Sequence, residues 1–342
     1  MGGGEQHPGR LATPWLACAT AALRGKVGVR VRASRAKRHK LALLGLGTMG
    51  LRHARIFAGM TDRFDVVGAF DVRRDAPVPY GVVRLAGEAE AIGRADVVVI
   101  ATPIAAHAGT AARALSAGRS VFVEKPVCAT TNEADALAQV ASRASGALFV
   151  GHSERFNPVV RALARLVRGD VVVSIDFRRV GPARPSDSGV LMNHGVHDLD
   201  LAAYLGAGAV ELRGAVGGDD SADVLFETAS GAIGHIHADR TAPARSRALT
   251  LTTPRWTYEA DLLEHRLVRT ARDTGVRTEV PLPLEEPLAA QARALADALD
   301  GGAAREIATL RDGAAAVGLA ERASALCAST PPGALPGRLG TP

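Results

Sequence analysis

Residues 41–50 read LALLGLGTMG. A short apolar run meets three glycines, Gly45, Gly47 and Gly50, and a helix-like segment, LRHARIFAGM, follows at once. A strand that turns this sharply into a helix uses each glycine for a different reason. Gly45 permits the tight turn, Gly47 lets a pyrophosphate approach the backbone, and Gly50 lets the helix pack on the strand. The first helical residues, Thr48 and Met49, then present free N–H groups and the positive end of the helix dipole to an anion. FDVVGAFD reads as the next strand and ends in Asp71, 21 residues past Gly50, close to the roughly 20 expected of a dinucleotide turn. Asp71 is expected to hydrogen-bond the adenine ribose, and a carboxylate there repels a 2′-phosphate, which favours NAD over NADP. Arg73 and Arg74 follow directly and would receive such a phosphate, so NADP stays an option.

The pattern then continues as strand and helix in alternation. ADVVVIAT, SVFVEKP and GALFVGH are short apolar strands, separated by the helical AAHAGTAARALSAG and NEADALAQVASRAS. Apolar strands alternating with helices indicate a parallel sheet covered on both faces. Past Pro158 the texture changes. One helix, VVRALARLVRG, precedes strand candidates from VVVSIDFRRV to HRLVRTAR with few helices between them, which favours a mostly antiparallel sheet. Two helical segments, PLAAQARALADAL and TLRDGAAAVGLAERASAL, close this part. The expected architecture is an α/β chain: an N-terminal Rossmann domain over 39–157 and an α+β domain with an open sheet over 158–328. Residues 1–38 read as a disordered extension or an over-early start, and the Pro/Gly-rich 329–342 as a disordered tail.

Charge excludes one class of partner. The net charge of +6 resembles a nucleic-acid signal, but residues 1–40 hold nine Lys/Arg against one Glu. The rest of the chain carries a net −2, so no basic face is expected on the folded part and no nucleic acid is expected as partner. No apolar run approaches the ~18 residues of a membrane span, so no membrane partner is expected either. Cys18, Cys128 and Cys327 are few and scattered, which fits a reduced, cytoplasmic protein rather than a disulfide framework.

Residues 101–127, ATPIAAHAGTAARALSAGRSVFVEKPV, resemble the Gfo/Idh/MocA oxidoreductase family. The hallmark is Glu124-Lys125-Pro126, and Thr102, Pro103 and His107 match the preceding segment. GVLMNHGVHDLDLAAYLG, from Gly189, resembles the family's second hallmark, and GHSERFNPVVRAL, from Gly151, resembles the domain junction of sugar and nucleotide-sugar members. The resemblance runs over roughly residues 40–328. It implies that Thr102, Pro103, His107, Glu124 and Lys125 join the glycine turn in holding the cofactor, and that the Lys125–Pro126 peptide is cis. Lys125 would also orient and polarise the reacting oxygen. A lysine in a cleft can do this because its charge is compact and its pKa falls readily on burial.

A helix over 191–205 would put Asn193, His197 and Asp200 at i, i+4 and i+7 on one face. His197 is then the candidate acid/base, because an imidazole titrates near neutrality. The family often has aspartate where this chain has Asn193, so the usual Asp–His pairing is in doubt, and Asp200 is the substitute for orienting His197. Asn193, Arg155, Asn157 and Asp200 are the candidate substrate-binding residues, with Arg155 suited to a carboxylate or phosphate. A metal held by His194, His197 and Asp198 or Asp200 is a weaker reading, because few of these share a face; no metal is expected. The expected function is an NAD(P)-dependent oxidoreductase acting on a sugar, cyclitol or nucleotide sugar. The competing reading is a non-catalytic dinucleotide-binding sensor or assembly subunit. The open sheet is expected to pair with a second copy, giving a homodimer or homotetramer.

Overall fold

Four consecutive residues of the first strand show why the chain folds as a layered sheet. Leu41 and Leu43 join one apolar cluster, and Ala42 and Leu44 join another on the opposite side. Successive side chains of a strand point to opposite faces, so an unbroken apolar run needs cover on both. Val97 and Val99 against Val98 and Ile100 repeat the division. The computed structural model describes Met1 and residues 38–79, 81–182, 188–206, 208–302 and 306–329. The extensions expected at 1–38 and 329–342 lie, but for Met1, Arg38 and Ser329, outside the described residues.

The first sheet is built from β1 (His39–Leu44), α1 (Thr48–Gly59), β2 (Phe64–Phe70), α2 (Glu88–Arg94), β3 (Val97–Ile100), α3 (Ile104–Ser116), β4 (Ser120–Glu124), α4 (Thr131–Ala141) and β5 (Leu148–Gly151). Its order is β5-β4-β3-β1-β2, all parallel. The order reverses between β3 and β1, and a ligand in such a sheet lies outside the carboxyl ends of the strands at that point. Those ends deliver Gly45, Thr102 and Lys125.

A 3₁₀ turn over Ser153–Phe156 leads to α5 (Pro158–Leu166) and β6 (Ser174–Val180). There follow a π turn, Leu191–Gly195, continuous with α6 (Val196–Leu205), and then β7 (Val210–Gly217), β8 (Ser221–Thr228), β9 (Ile233–Asp239), β10 (Ser246–Thr252), β11 (Trp256–Asp261), β12 (Arg266–Ala271) and β13 (Arg277–Glu279). The second sheet has the order β13-β12-β11-β10-β6-β9-β8-β7 and is antiparallel except between β6 and β9. Residues of α5, α6 and the last helix bury one face of it. The other face carries Asp176, Arg178, Asp223, His235 and His237. The two histidines both approach Asp223 Oδ1 at 2.9 Å.

The chain then returns to the first sheet. α7 (Pro287–Leu299) buries Ala292, Leu295 and Ala296 in the cluster that holds Leu41 and Phe57. The two-residue β14 (Ala308–Thr309) pairs antiparallel with β5 and closes the sheet's edge. α8 (Leu310–Ser329) places Val317 in one core and Leu319, Ala320 and Ala323 in the other, tying the two sheets together. No helix among the described residues is long and apolar enough to cross a membrane.

The expected helix over 191–205 is a helix of two kinds. Its entry, Leu191–Gly195, is π and only Val196–Leu205 is α. Hydrogen bonds there run i→i+5, as from Val196 N–H to the Leu191 carbonyl, so each residue turns the chain less than in an α-helix.

Candidate active site

The glycine turn separates glycines required by the protein from one required by nothing in it. Gly45 has φ +90°, and a Cβ there would lie 2.5 Å from the Ala101 carbonyl oxygen. A Cβ on Gly50 would lie 1.9 Å from the Gly45 oxygen. A Cβ on Gly47 would meet nothing within 4 Å, so this side of the turn is open. Gly47 begins α1 with no side chain capping it, which leaves the first N–H groups at Thr48 and Met49 directed to that space. The buried Thr102 Oγ1 has no partner among the described residues. An open cradle at a helix N-terminus and an unpaired hydroxyl beside it fit a dinucleotide.

Asp71 braces this turn. Its Oδ2 accepts from Leu46 N–H at 2.7 Å and its Oδ1 from Arg73 N–H at 2.9 Å, while the Arg73 guanidinium donates to both oxygens. The Arg73 side chain is the main cause that holds the carboxyl down to about 2. The two sides of the NAD-versus-NADP question are thus paired with each other.

His107 links Thr102 to the loop after β4. Its Nδ1 is 2.7 Å from the Pro126 oxygen and its Nε2 2.8 Å from the Thr102 oxygen. Pro103 starts α3 as its N-cap. Both residues therefore shape the strand ends over which a cofactor lies. Glu124 is buried and held 2.6 Å from His53 Nε2, a partner on α1 that sequence reasoning missed. The Lys125–Pro126 peptide is cis. Lys125 Nζ donates to the Asn193 carbonyl oxygen at 3.0 Å, so Asn193 meets the lysine through main chain. Burial pushes the lysine down to about 8, with Arg179 and Arg247 adding to the effect.

A cavity of about 690 Å³ opens here, within the usual size of a ligand site. Lys125, Asn193, His194, His197 and Asn157 line it. Lys125 and His197, 72 residues apart in the chain, thus face one space. Burial first, then Lys125 and Arg179, hold the His197 imidazole well below its usual value, so it is neutral at pH 7. Its Nδ1 is buried without a partner among the described residues. His194, the next residue of the π turn, lines the same cavity; burial and four cations push it down to about 4.

Arg155 and Asp200, candidate substrate ligands, are brought together with each other. Arg155 Nε and Nη2 donate to the two Asp200 oxygens at 2.8 and 2.6 Å, and both side chains are buried. The guanidinium is not presented to the cavity, and Asp200 does not reach His197. His152, also missed, is buried with its Nδ1 3.5 Å from Asp200 Oδ2, and neither ring nitrogen has a hydrogen-bond partner among the described residues. Asn157 uses its side chain structurally: Oδ1 caps α5 at Val159 N–H and Nδ2 donates to the Leu262 oxygen. Asp198 is taken by Arg179 through Nε at 3.0 Å and Nη2 at 2.7 Å. The metal reading needed Asp198 or Asp200 as a ligand, and each is committed to an arginine. A buried carboxylate, Glu154, accepts from Arg179 at 3.1 Å and Arg247 at 2.7 Å.

Residues 39–152 match the family described as the oxidoreductase family with an NAD-binding Rossmann fold, and residues 167–257 match its GFO/IDH/MocA C-terminal domain. The inositol 2-dehydrogenase of Rhizobium meliloti (strain 1021) is 30% identical over 56% of this chain and 66% of its own. The UDP-N-acetylglucosamine 3-dehydrogenase of Acidithiobacillus ferrooxidans is 28% identical over 71% of this chain and 80% of its own, and a crystal form of it superposes with a TM-score of 0.77 over 85% of this chain and 99% of that one. GenD2 from gentamicin A biosynthesis, solved in complex with NAD, superposes with a TM-score of 0.73 at 24% identity, over 86% of this chain and 95% of its own. With the glycine turn, the Glu-Lys-Pro strand end and the sheet domain all in place, the chain belongs to the Gfo/Idh/MocA family of NAD(P)-dependent dehydrogenases.

Proposed function

We propose that the chain oxidises a secondary alcohol of a sugar, cyclitol or nucleotide sugar, with NAD as hydride acceptor. The carrying observation is the convergence of Lys125 and His197 on one cavity beside the nucleotide turn. Bound nicotinamide supplies the electrophile that takes the hydride. Lys125 donates a hydrogen bond to the substrate oxygen and stabilises the negative charge that grows on it. His197, neutral in its buried setting, accepts the hydroxyl proton. Asn193 fixes the lysine through its carbonyl and leaves its amide for a substrate hydroxyl. NAD is favoured over NADP because Asp71 stands at the ribose and already engages Arg73.

The pH profile carries the test. Lys125 is an ammonium below about 8 and loses its proton above, so turnover falls as pH rises through that value. NADH absorbance across a panel of cyclitols, sugars and nucleotide sugars should rise with at least one of them, and Lys125→Arg should move the alkaline limb upward. If NAD binds but no substrate yields NADH, the alternative is a dinucleotide-binding sensor, which Asn193 in place of an aspartate favours. The outer face of the second sheet, with exposed Leu225 and Ile233, is the surface for a homodimer or homotetramer.

A further inference from the structure

Arg179 on β6 and Arg247 on β10 are direct cross-strand partners. Like charges directly opposite on a sheet repel, so a sheet keeps such a pair only with a reason or a counter-charge. Glu154 bridges the pair and Asp198 holds Arg179 from behind, which balances two arginines with two carboxylates. The remaining cations of this wall have no such balance. Among the described residues Lys125 has only the Asn193 carbonyl as hydrogen-bond partner, and Glu124 is turned to His53. Arg245 lies two residues before Arg247, immediately ahead of β10, lines the cavity, and makes no ion pair or hydrogen bond among the described residues. Beside it stands Gly181, where a Cβ would come within 3.1 Å of Arg245 Cγ, so the glycine leaves the arginine its place. Burial first, then Arg179, Lys125, Arg247 and Arg240, push His194 down, and burial with Arg179 and Arg245 nearby pulls even Arg247 down.

We infer that Arg245 and Arg247 form a subsite for an anionic group of the substrate, a carboxylate or a phosphate, on the same cavity as Lys125 and His197. Planar guanidinium groups recognise both anions by paired hydrogen bonds. The subsite takes the role that the sequence suggested for Arg155, which Asp200 occupies. It rests on the dehydrogenase reading and narrows it, because a neutral cyclitol leaves Arg245 without a partner while a uronic acid or a nucleotide sugar supplies one.

The test uses the full chain saturated with NAD, which fills the pyrophosphate site and removes it as a competing anion site. Titration calorimetry with UDP and with glucuronate should show binding of at least one, and no binding of glucose at the same concentration. Binding of UDP alone assigns the phosphate, and binding of glucuronate alone assigns the carboxylate. Arg245→Ala should weaken that anion about tenfold, the loss of one charge-assisted hydrogen bond, and Arg245→Lys should restore part of it. If neither anion binds, or if Arg245→Ala leaves the affinity within about twofold, the subsite is wrong. Turnover of a neutral cyclitol by a protein indifferent to both anions overturns the subsite and leaves the dehydrogenase reading standing. Anion binding lost in Arg245→Ala, with no NADH formed from any substrate, upholds the subsite and overturns the dehydrogenase reading.

Discussion

Gly47 at the nucleotide turn and Arg247 on the cavity wall prepare for charged ligands in opposite ways. Around Gly47 the protein leaves atoms out: no Cβ, no capping side chain, and helix N–H groups that face open space. Around Arg247 it packs charge against charge: Glu154, Arg179 and Asp198 are each buried. The first wall costs little to keep empty, because main-chain donors at a helix start can wait for a ligand or water. The second holds several ions out of water, and each must be matched to stay there. A wall of absences tolerates an unliganded state; a wall of buried charges depends on every member.

The sharpest way to break this comparison is to remove chemistry from one wall and look for an effect on the other. His197→Ala should cut turnover by ~10²–10⁴-fold and leave NAD affinity unchanged, measured by single-turnover NADH formation and by titration of NAD. Equal losses in both would mean that the walls are not separable. Removing the bridging charge tests the second wall's dependence on its members. Glu154→Gln leaves Arg179 and Arg247 face to face, and should lower unfolding stability by about 3–5 kcal/mol in a denaturant titration.

The glycines give a smaller and more selective effect. Gly45→Ala meets both a left-handed φ and the Ala101 carbonyl, and should lose about 1–3 kcal/mol of stability. Gly47→Ala should keep the wild-type unfolding midpoint and weaken NAD about tenfold, since its Cβ occupies only the ligand's space. Smallest of all, Asp71→Ala should narrow the preference for NAD over NADP by a few-fold (about 1 kcal/mol), as Arg73 is released to meet a 2′-phosphate. A wild type that prefers NADP would reverse the assignment.

The same contrast explains what the sequence revealed. Main-chain devices leave fixed spacings, so the glycine turn, Asp71 and the Glu124-Lys125-Pro126 strand end were legible without coordinates. His197 was singled out through its family setting, and it lines the cavity with Lys125. Arg155 and Asp200 were misjudged because the identity of a residue does not say which partner consumes it; they lie 45 apart in sequence and meet only in the fold. His53, His152, Glu154 and Arg247 carry no local pattern, since burial beside an opposite charge is a tertiary property. The return of α7 and β14 to the first sheet was equally hidden, because a two-residue strand has no periodicity to read.

The π turn at Leu191–Gly195 has a consequence for how such a site changes over time. A helix ordinarily fixes the phase of every residue along it, so removing one residue rotates everything on one side by ~100°. A five-residue turn already contains the slack of an added residue. Taking one residue out of 191–195 would return the entry to ordinary α geometry without breaking α6. It would carry Asn193 and His194 around the axis and leave His197 where it is. The positions of Asn193 and His194 can therefore be re-phased separately from that of His197, by a change in length as well as by a change of side chain.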